Sequence, residues 1–467
     1  MRVLVASGDT SDELIGEGHE RQRFEGDVRD HEAMGAALAG KEALILVVPR
    51  ESGTGWRAEF ELLDRATRGT YVALNAAIKA GVKRVVLVST LALLERYPAQ
   101  WKVDDGWRPV PDVERPEQLA AYLAEESAKE LSRVEPIQVV CVRLGAVDAL
   151  ARREAIAAAL TDTLTRHENH STGRVTHGWW VRHAGERIAR DGVAGAVGAV
   201  PSRPIRSVAV FGAGGPLAAA AQPLLSDSYR LRLTDLRPLN EITNEAKPQS
   251  PGAPLPLPVE PPHEARQVDV TDYDQVLEAL GGMDAAINCT VVRPHPVLAF
   301  HVNTLGAYHV MKAAVALGIR RVVHTGPLLV LADQPGGYAW DFGVPDEAPP
   351  RPGNWIYLHS KYLGQEIVRL FAERYQLEAP TLLFCNFVNP EVPRRRNGVG
   401  PFTVSWADAG AALRCALEVE SLPRPFEPLH VLADLPHAKY SNARAKQLLG
   451  WQPQDTLEAL YTTGSAG

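Results

Sequence analysis

Short apolar segments alternate with longer segments of mixed polarity along most of the chain. Aliphatic and β-branched runs at 43–47 and 207–211 predict buried strands. The stretches 69–81 and 306–318 have apolar positions at helical spacing and end in glycine, a common helix stop. Strands that alternate with helices predict βαβ units. We therefore expect an α/β fold with doubly wound parallel sheets.

The same pattern occurs twice. Residues 69–86 recur as residues 306–323, an offset of 306 − 69 = 237. Upstream, Asp27 matches Asp269 at an offset of 269 − 27 = 242. Offsets this steady indicate a duplicated domain.

The downstream part of the repeat keeps nearly the same spacing. An Arg-Pro pair that begins at Arg115 recurs at Arg351, an offset of 351 − 115 = 236. We expect two tandem domains, residues 1–200 and 201–467, joined near residues 199–206, where two prolines suit a linker. The second domain would also carry a small C-terminal substrate-binding part.

A glycine-rich segment separates a strand from a helix in the second half. Gly212, Gly214 and Gly215 follow the strand at 207–211, and Asp235 ends the next predicted strand. Glycines let the backbone approach a pyrophosphate at a helix N-terminus, and an acid about 20 residues on accepts from the adenosine ribose. The pattern predicts a Rossmann-like site, and Asp235 favours NAD over NADP because it would repel a 2′-phosphate. The alternative is a plain glycine turn.

Tyr357 and Lys361 lie four residues apart on a predicted helix, so their side chains share one face. An ammonium beside a phenol favours the phenolate, because the ordinary phenol pKa of about 10 is too high for a base at neutral pH. The spacing predicts an acid–base pair. The alternative is a tyrosine packed on a surface helix beside a solvated lysine.

The first copy is shorter in the region of the fingerprint. Val5 and Asp27 are 27 − 5 = 22 residues apart, whereas Phe211 and Asp269 are 269 − 211 = 58 residues apart. The loop at 6–10 has one glycine, and an acid where a pyrophosphate would approach. We expect this stretch to be too short for a complete helix and second strand, and the first half not to bind a dinucleotide in the usual way.

Several motifs of the second half occur together in one known family. They are Gly212-x-x-Gly215-x-x-Ala218, Asp269-Val270, Asn303-Thr304-Leu305-Gly306, Tyr357-x-x-Ser360-Lys361 and Asn386-Phe387-Val388-Asn389-Pro390. With them, the chain from about residue 206 to 462 resembles the extended short-chain dehydrogenase/reductase superfamily, also called the NAD-dependent epimerase/dehydratase family. Residues 1–200 resemble the same family in a degenerate form.

The resemblance implies a role for each motif. Tyr357 would be the acid–base residue, and Lys361 would bind the nicotinamide ribose while lowering the phenol pKa. The other positions implied are Asn303 in the catalytic site, Asp269 and Val270 beside the adenine, and Asn288 and Asn386 along the cofactor.

One expected catalytic group is missing. The family places a serine or threonine where this chain has Pro327, which has no hydroxyl. Thr325 lies two residues back and faces the same way along an extended strand, about 6 to 7 Å away, so it would act only through a water or a displaced substrate. The first copy has Ala121 and Glu125 at the positions of Tyr357 and Lys361.

The predicted substrate-binding segment is short. Only residues 391–403 separate Pro390 from Val404, which implies a small substrate, and the C-terminal motifs look like those of the uronate-dehydrogenase branch. Arg394, Arg395 and Arg396 in this segment are candidates to bind a carboxylate or phosphate. A solvated arginine loop is the alternative.

Composition narrows the classes of partner. A net charge of −7 and a pI near 6.1 give no attraction to nucleic acid, and no apolar run is long enough for a membrane span or signal peptide. We expect a cytoplasmic protein. Four scattered cysteines predict reduced core thiols, and the spacing of the histidines predicts no metal site.

Two functional hypotheses follow. The first is an NAD-dependent oxidoreductase or epimerase that acts on a small sugar, sugar acid or polyol through Tyr357 and Lys361. The second is a catalytically impaired NAD-binding sensor or protein-interaction module, because Pro327 replaces the hydroxyl. The two copies are also candidates to pack as an intramolecular pseudo-dimer, with a homodimer as the alternative.

Overall fold

The computed structural model divides into two compact units, Met1–Gly195 and Ala196–Gly467. The residues that it describes are 1–6, 20–50, 53–161, 178–188, 200–201, 203–243, 252–329, 338, 341–392, 399–400, 402–435 and 439–460. Each unit is built around its own parallel sheet. The predicted α/β fold with two tandem Rossmann-like sheets is confirmed.

In the described part of the first unit, six parallel strands follow the order β2-β1-β3-β4-β5-β6. Its elements are β1 Arg2–Ala6, β2 Glu20–Phe24, α1 His31–Leu38, β3 Ala43–Val47, α2 Trp56–Lys79, β4 Arg84–Thr90, a 3-10 turn Leu91–Leu94, α3 Pro116–Val134, β5 Gln138–Leu144, α4 Ala149–Thr161 and β6 Gly178–Ala184. Aliphatic side chains of the strands pack with α4 in a buried core.

The second unit contains a seven-stranded parallel sheet in the order β15-β12-β11-β10-β7-β8-β9. Its first elements are β7 Ser207–Phe211, α5 Pro216–Ser226, β8 Arg230–Asp235, a 3-10 turn Leu239–Glu241, β9 Glu264–Gln267, α6 Tyr273–Leu280, β10 Ala285–Asn288, α7 Leu298–Phe300, a π-helical turn His301–Leu305, α8 Gly306–Ala316 and β11 Arg321–Pro327. The remaining elements are α9 Ile356–Tyr375, β12 Ala379–Phe384, β13 Asn386–Val388, β14 Thr403–Ser405, α10 Trp406–Glu418, β15 Phe426–His430, α11 Ala443–Leu449 and a 3-10 turn Glu458–Leu460.

Local sequence explains where several helices begin and end. Asp30 and Asp272 accept hydrogen bonds from backbone N–H groups at the starts of α1 and α6. Helices α2 and α8 are followed by Gly81 and Gly318, whose φ angles are +77° and +66°. Only glycine adopts this conformation without strain, so the glycine of the sequence repeat stops the same helix in both units.

The prediction for the start of the first unit is wrong in one respect. A second strand is present, because β2 pairs in parallel with β1 from Glu20, opposite Arg2, to Phe24, opposite Ala6. Among the described residues, one strand lies beyond β1 in the first unit, where the second unit has both β8 and β9 beyond β7. β2 pairs directly with β1 as β8 pairs with β7, and it is followed by Asp27 as β9 is followed by Asp269.

In the second unit, one face of the sheet packs against α5 and α10. Helix α9 lies against α8, the π-helical turn and β11. The carboxyl ends of β7, β8, β10, β11 and β12 share one edge because the strands are parallel. Loops that follow these strands therefore meet at one site.

Candidate active site

The glycine-rich turn after β7 requires two of its glycines. Gly212 has φ +76°, and a Cβ there would lie 2.9 Å from the backbone carbon of Cys289. At Gly214 a Cβ would overlap Ile242 Cδ1 and lie 2.8 Å from Asp235 Oδ2. A side chain at either position would therefore displace its neighbours, and the bare backbone lines the surface of this turn.

Asp235 closes the same turn from the end of β8. Its Oδ2 accepts a 2.9 Å hydrogen bond from the Gly214 N–H, which holds the carboxylate beside the glycines. Gly215 begins α5 without a side-chain cap, and Pro216 occupies the first helical position. The uncapped N–H groups and the helix dipole suit a pyrophosphate, and the carboxylate suits a ribose diol. The residues present therefore fit a dinucleotide.

Asp269 and Val270 follow β9, at the predicted adenine side. Asp269 Oδ1 accepts hydrogen bonds of 2.8 Å from both the N–H and the hydroxyl of Thr271. Val270 is buried and packs against Gly306, where a Cβ would lie 2.9 Å from Val270 Cγ1. The two residues therefore form a braced turn between β9 and α6.

Asn288 is buried at the end of β10 and shapes the loop that follows. Its Oδ1 accepts from the N–H and the hydroxyl of Thr290, at 3.1 and 2.7 Å. Its backbone carbonyl accepts a 2.9 Å bond from the Thr325 hydroxyl. The hydrogen bonds of Asn288 therefore hold the start of the loop at 289–292 in place.

Tyr357 and Lys361 lie in the first two turns of α9, as their spacing predicts. Lys361 Nζ donates to the carbonyl oxygens of Thr290 and Thr325, at 2.7 and 3.4 Å. Burial raises the pKa of Tyr357, and the guanidinium of Arg293 opposes this rise. The lowering of the phenol pKa by Lys361 stays a prediction.

Among the described residues, the buried ammonium of Lys361 donates hydrogen bonds to two neutral carbonyl groups. Burial lowers its pKa to about 8, since removal from water disfavours the charged form. His324 lies nearby on β11, and burial, together with the charge of Lys361, lowers its pKa to about 3. At neutral pH His324 is therefore uncharged, whereas Lys361 carries a positive charge.

Asn303 links the loop after β10 to α9. Its side chain accepts from Val292 N–H at 2.9 Å and donates to Val292 O at 2.8 Å. It also donates to Ser360 Oγ at 3.0 Å, and Ser360 donates to Tyr357 O at 3.0 Å. Asn303 lies in the π-helical turn, a distortion common at functional sites. Gly364 permits this approach, because a Cβ there would overlap Asn303 O.

Pro327 ends β11 and offers no hydroxyl to the site. Thr325 is buried, and its hydroxyl proton is directed at Asn288 O rather than toward a substrate. A hydroxyl has one proton to donate, so Thr325 can only accept a further bond.

Two further predictions concern the short segment after β12. Arg394, Arg395 and Arg396 lie outside the described residues. Asn386 is exposed at the start of β13, and its N–H donates to Phe402 O at 3.2 Å. The roles assigned to these residues remain predictions.

The sequence did not identify Arg293 as a site residue, and it predicted a core position for Cys385. Both act electrostatically on Tyr357, Arg293 lowering its pKa and Cys385 raising it. Cys385 is exposed after β12, so the prediction of a core thiol is wrong for this cysteine, although Cys141 and Cys289 are buried. No sequence motif identifies Arg293, which stands ten residues before Asn303. The conformation of the loop after β10 places it near the site.

The first unit has a different arrangement at the corresponding helix. Glu125 on α3 accepts a bidentate pair from Arg143, with Arg143 Nη2 2.7 Å from Oε2 and Nε 3.1 Å from Oε1. Ser89 at the end of β4 donates to the same carboxylate at 2.6 Å. All three side chains are buried. The carboxylate is fully partnered within the unit.

Comparison with known proteins agrees with this architecture. Residues 3–174 match the family model described as NAD(P)H-binding, and residues 209–408 match the NAD dependent epimerase/dehydratase family. The tandem resemblance and the prediction of NAD as cofactor are confirmed at this level. Most of the second unit therefore matches the model of the NAD dependent epimerase/dehydratase family. Residues 7–19, which would form the first unit's fingerprint loop, lie outside the described residues, so the absence of a dinucleotide there stays a prediction.

Solved structures with a similar fold each match about half of the chain. A mutated uronate dehydrogenase has 22% identity and a TM-score of 0.44, covering 54% of this chain and 83% of its own. Glucuronic acid dehydrogenase from Chromohalobacter salexigens has 21% identity and a TM-score of 0.44, covering 55% and 87%. A UDP-galactose 4-epimerase has 18% identity and a TM-score of 0.42, covering 54% and 96%. Comparison with curated proteins gave no match.

Two features are not seen within the part of the chain that the structure describes. No helix there is both long and apolar enough to cross a membrane. No cluster of three or more histidine, cysteine or acidic side chains is placed to hold a metal ion in those residues.

Proposed function

We propose that the second unit is an NAD-dependent oxidoreductase or epimerase that acts on a small sugar, sugar acid or polyol. The observation that carries the proposal is the meeting of two groups at one sheet edge. The glycine turn with Asp235 lies at the ends of β7 and β8. Lys361 contacts Thr290 in the loop after β10 and Thr325 within β11 of the same sheet. A dinucleotide that lies along this edge would bring its nicotinamide toward α9.

In this proposal the backbone at Gly212 to Gly215 and the start of α5 hold the pyrophosphate, and Asp235 holds the adenosine ribose. Asp269 and Val270 border the adenine. Lys361 has three N–H donors and uses two of them on carbonyl groups, so one remains for the nicotinamide ribose. The nicotinamide supplies the hydride acceptor or donor.

Tyr357 is the proton-transfer group. When a substrate hydroxyl is oxidised, the phenolate takes the hydroxyl proton as the hydride leaves the carbon. In the reverse direction the phenol donates its proton to the carbonyl oxygen. Because burial raises the pKa of Tyr357, the tyrosine is in its phenol form at neutral pH. Asn303 and Ser360 position the first turn of α9 and therefore the tyrosine.

The test is Tyr357→Phe in the full chain, assayed with NAD and a panel of sugars, uronic acids and polyols. We expect turnover to fall about 10²- to 10⁴-fold, the usual contribution of general acid–base catalysis. Calorimetry should show one NADH bound per chain, with unchanged affinity in the variant. Tyr229→Phe is the control, because its hydroxyl bonds Glu418 at the opposite edge of the sheet. Undiminished turnover in Tyr357→Phe would refute the assignment.

A second candidate function is an NAD-binding sensor without turnover. Two observations favour it. Pro327 has no hydroxyl, and the Thr325 hydroxyl already donates to Asn288 O, so neither residue can donate to a substrate. This candidate predicts NADH binding with no turnover of any substrate in the panel. Its ligand affinity would be the same in wild type and Tyr357→Phe.

A further inference from the structure

The site lacks the hydroxyl that would stand beside Tyr357. Pro327 has none, and the Thr325 hydroxyl proton goes to Asn288 O at 2.9 Å. Two Lys361 protons go to the carbonyls of Thr290 and Thr325. An oxygen that gains or loses a proton in such a reaction develops negative charge, and hydrogen-bond donors aimed at it stabilise the transition state. A second donor must come from elsewhere.

The loop after β10 is anchored to α9 at two points. Thr290 O accepts from Lys361 at 2.7 Å. The N–H and carbonyl of Val292 are both bound by the side chain of Asn303, which also donates to Ser360. The backbone immediately before Arg293 is therefore held in place relative to the turn of α9 that carries Tyr357.

Among the residues that the structure describes, no acceptor competes for the guanidinium of Arg293. Its side chain is exposed, and among the described residues it has no ion-pair partner. A guanidinium offers five N–H donors in a planar fork and stays charged at every relevant pH.

We propose that Arg293 takes the place of the hydroxyl absent at Pro327 and donates a hydrogen bond to the substrate oxygen on which Tyr357 acts. The inference rests on the proposed function and adds a catalytic residue to it. In reduction, the carbonyl carbon receives the hydride, Tyr357 gives its proton to the oxygen, and Arg293 keeps all its protons.

The electrostatics of Tyr357 agree with this placement. Burial raises the Tyr357 pKa, Arg293 lowers it, and Cys385 from the loop after β12 raises it. Lys361, on the same helix, is turned toward the carbonyls of Thr290 and Thr325. Among the described residues, Arg293 is therefore a cation that favours the phenolate, and its removal should make the phenolate harder to form.

The kinetic test compares Arg293→Ala and Arg293→Lys with wild type. Loss of one donor to a developing oxyanion typically costs about 10²- to 10³-fold in kcat. We expect this loss in Arg293→Ala, a smaller loss in Arg293→Lys, unchanged NADH affinity, and partial recovery when guanidinium ion is added. Arg230→Ala is the control, since Arg230 is exposed and bonds Gly282 O at the opposite edge. Unchanged kcat in Arg293→Ala would overturn the proposal.

A second experiment restores the hydroxyl at position 327. If Arg293 replaces the hydroxyl, Pro327→Ser should make Arg293 partly dispensable. The loss of kcat caused by Arg293→Ala should then be smaller in the Pro327→Ser background. Equal losses in both backgrounds would mean that the arginine and the hydroxyl serve different purposes, and would refute the replacement.

A titration separates this inference from the proposed function. Fluorotyrosine at position 357, in a Cys385→Ser background that removes thiol ionisation, reports the phenol by ¹⁹F NMR without any substrate. Arg293→Ala should raise the measured pKa, while Arg230→Ala should leave it unchanged. If the wild type shows no turnover but the pKa shift is present, the proposed function is wrong and the placement of Arg293 beside Tyr357 still holds. An unshifted pKa in Arg293→Ala overturns the placement of Arg293.

Discussion

The two units treat the same helical position in opposite ways. Glu125 on α3 and Lys361 on α9 are related by the repeat, 361 − 236 = 125, and both are buried. Glu125 is matched by an arginine and a serine. Within the described part of the chain, the hydrogen bonds of Lys361 go to carbonyl oxygens, and its pKa is lowered to about 8. A buried charge with full compensation serves the fold. One held by neutral groups is costly to the fold and remains available to a ligand.

The neighbouring helices show the same contrast. Gly69 and Gly306 are equivalent, and each allows a valine to pack closely, Val28 in the first unit and Val270 in the second. That contact is common to both folds. The distortion around Asn303 occurs only in the second unit, because Ala66 stands at its position in the first, where α2 runs without a π turn.

The largest expected effect concerns the ion pair of the first unit. Glu125→Gln would leave the Arg143 guanidinium buried without its counter-charge, which typically costs about 3–5 kcal/mol of unfolding free energy. The double variant Glu125→Leu with Arg143→Met removes both charges and should lose much less. Urea denaturation followed by tryptophan fluorescence measures both.

Lys129→Met on the same helix is the matched control. Its ammonium is about half exposed and pairs with Glu126 at 3.3 Å, so the cost should stay below about 1 kcal/mol. If the double variant were as unstable as the single one, the interpretation of Glu125 and Arg143 as a compensated pair would be wrong.

The next effect is a pH dependence at Lys361. Its pKa is about 8 in the folded state and 10.5 in the reference state, so between these values the unfolded chain binds more protons. Wild-type stability should therefore rise with pH through this window. The advantage of Lys361→Met over wild type should shrink by on the order of 3 kcal/mol from pH 7 to above pH 10.

Paired thermal and urea unfolding of wild type and Lys361→Met across that pH range measures the difference. Effects of alkali on the rest of the chain cancel between the two proteins. Lys83→Met, an exposed position in the first unit, controls for removal of a lysine. A difference that stays constant with pH would show that the buried ammonium is not strained, and the contrast with Glu125 would lose its energetic basis.

The smallest effect concerns Gly364, the glycine on α9 that packs against the π-helical turn. Gly364 is equivalent to Ala128, since 364 − 236 = 128. A Cβ at Gly364 would overlap Asn303 O, so Gly364→Ala should cost about 1–3 kcal/mol through overpacking and weaken NADH binding by moving the loop at 290–292. Ala128→Gly should cost only about 0.5–1 kcal/mol through backbone entropy.

Calorimetric unfolding and NADH titration measure both glycine variants. The expected pattern is a coupled loss of stability and coenzyme affinity in Gly364→Ala and a loss of stability alone in Ala128→Gly. Full coenzyme affinity in Gly364→Ala would mean that the π turn is a packing feature without a role in the site.

Sequence patterns predicted most of the framework. The alternation of apolar and mixed segments predicted the parallel sheets, and the repeated glycines predicted the ends of α2 and α8. Spacing alone placed Tyr357 and Lys361 on one helix. The length argument failed for β2, because counting residues to Asp27 does not show that the strand before it pairs with β1.

Chain periodicity and glycine spacing determined the fold class, the duplication and the glycine turn after β7, because these depend on neighbours within one helix or one βα unit. Tertiary structure decided which charges meet. The hydrogen bonds of Asn303 join residues 292 and 360, so the loop that carries Arg293 is fixed to the helix that carries Tyr357. Electrostatic interactions depend on distance through space and on burial, neither of which is encoded by separation along the chain.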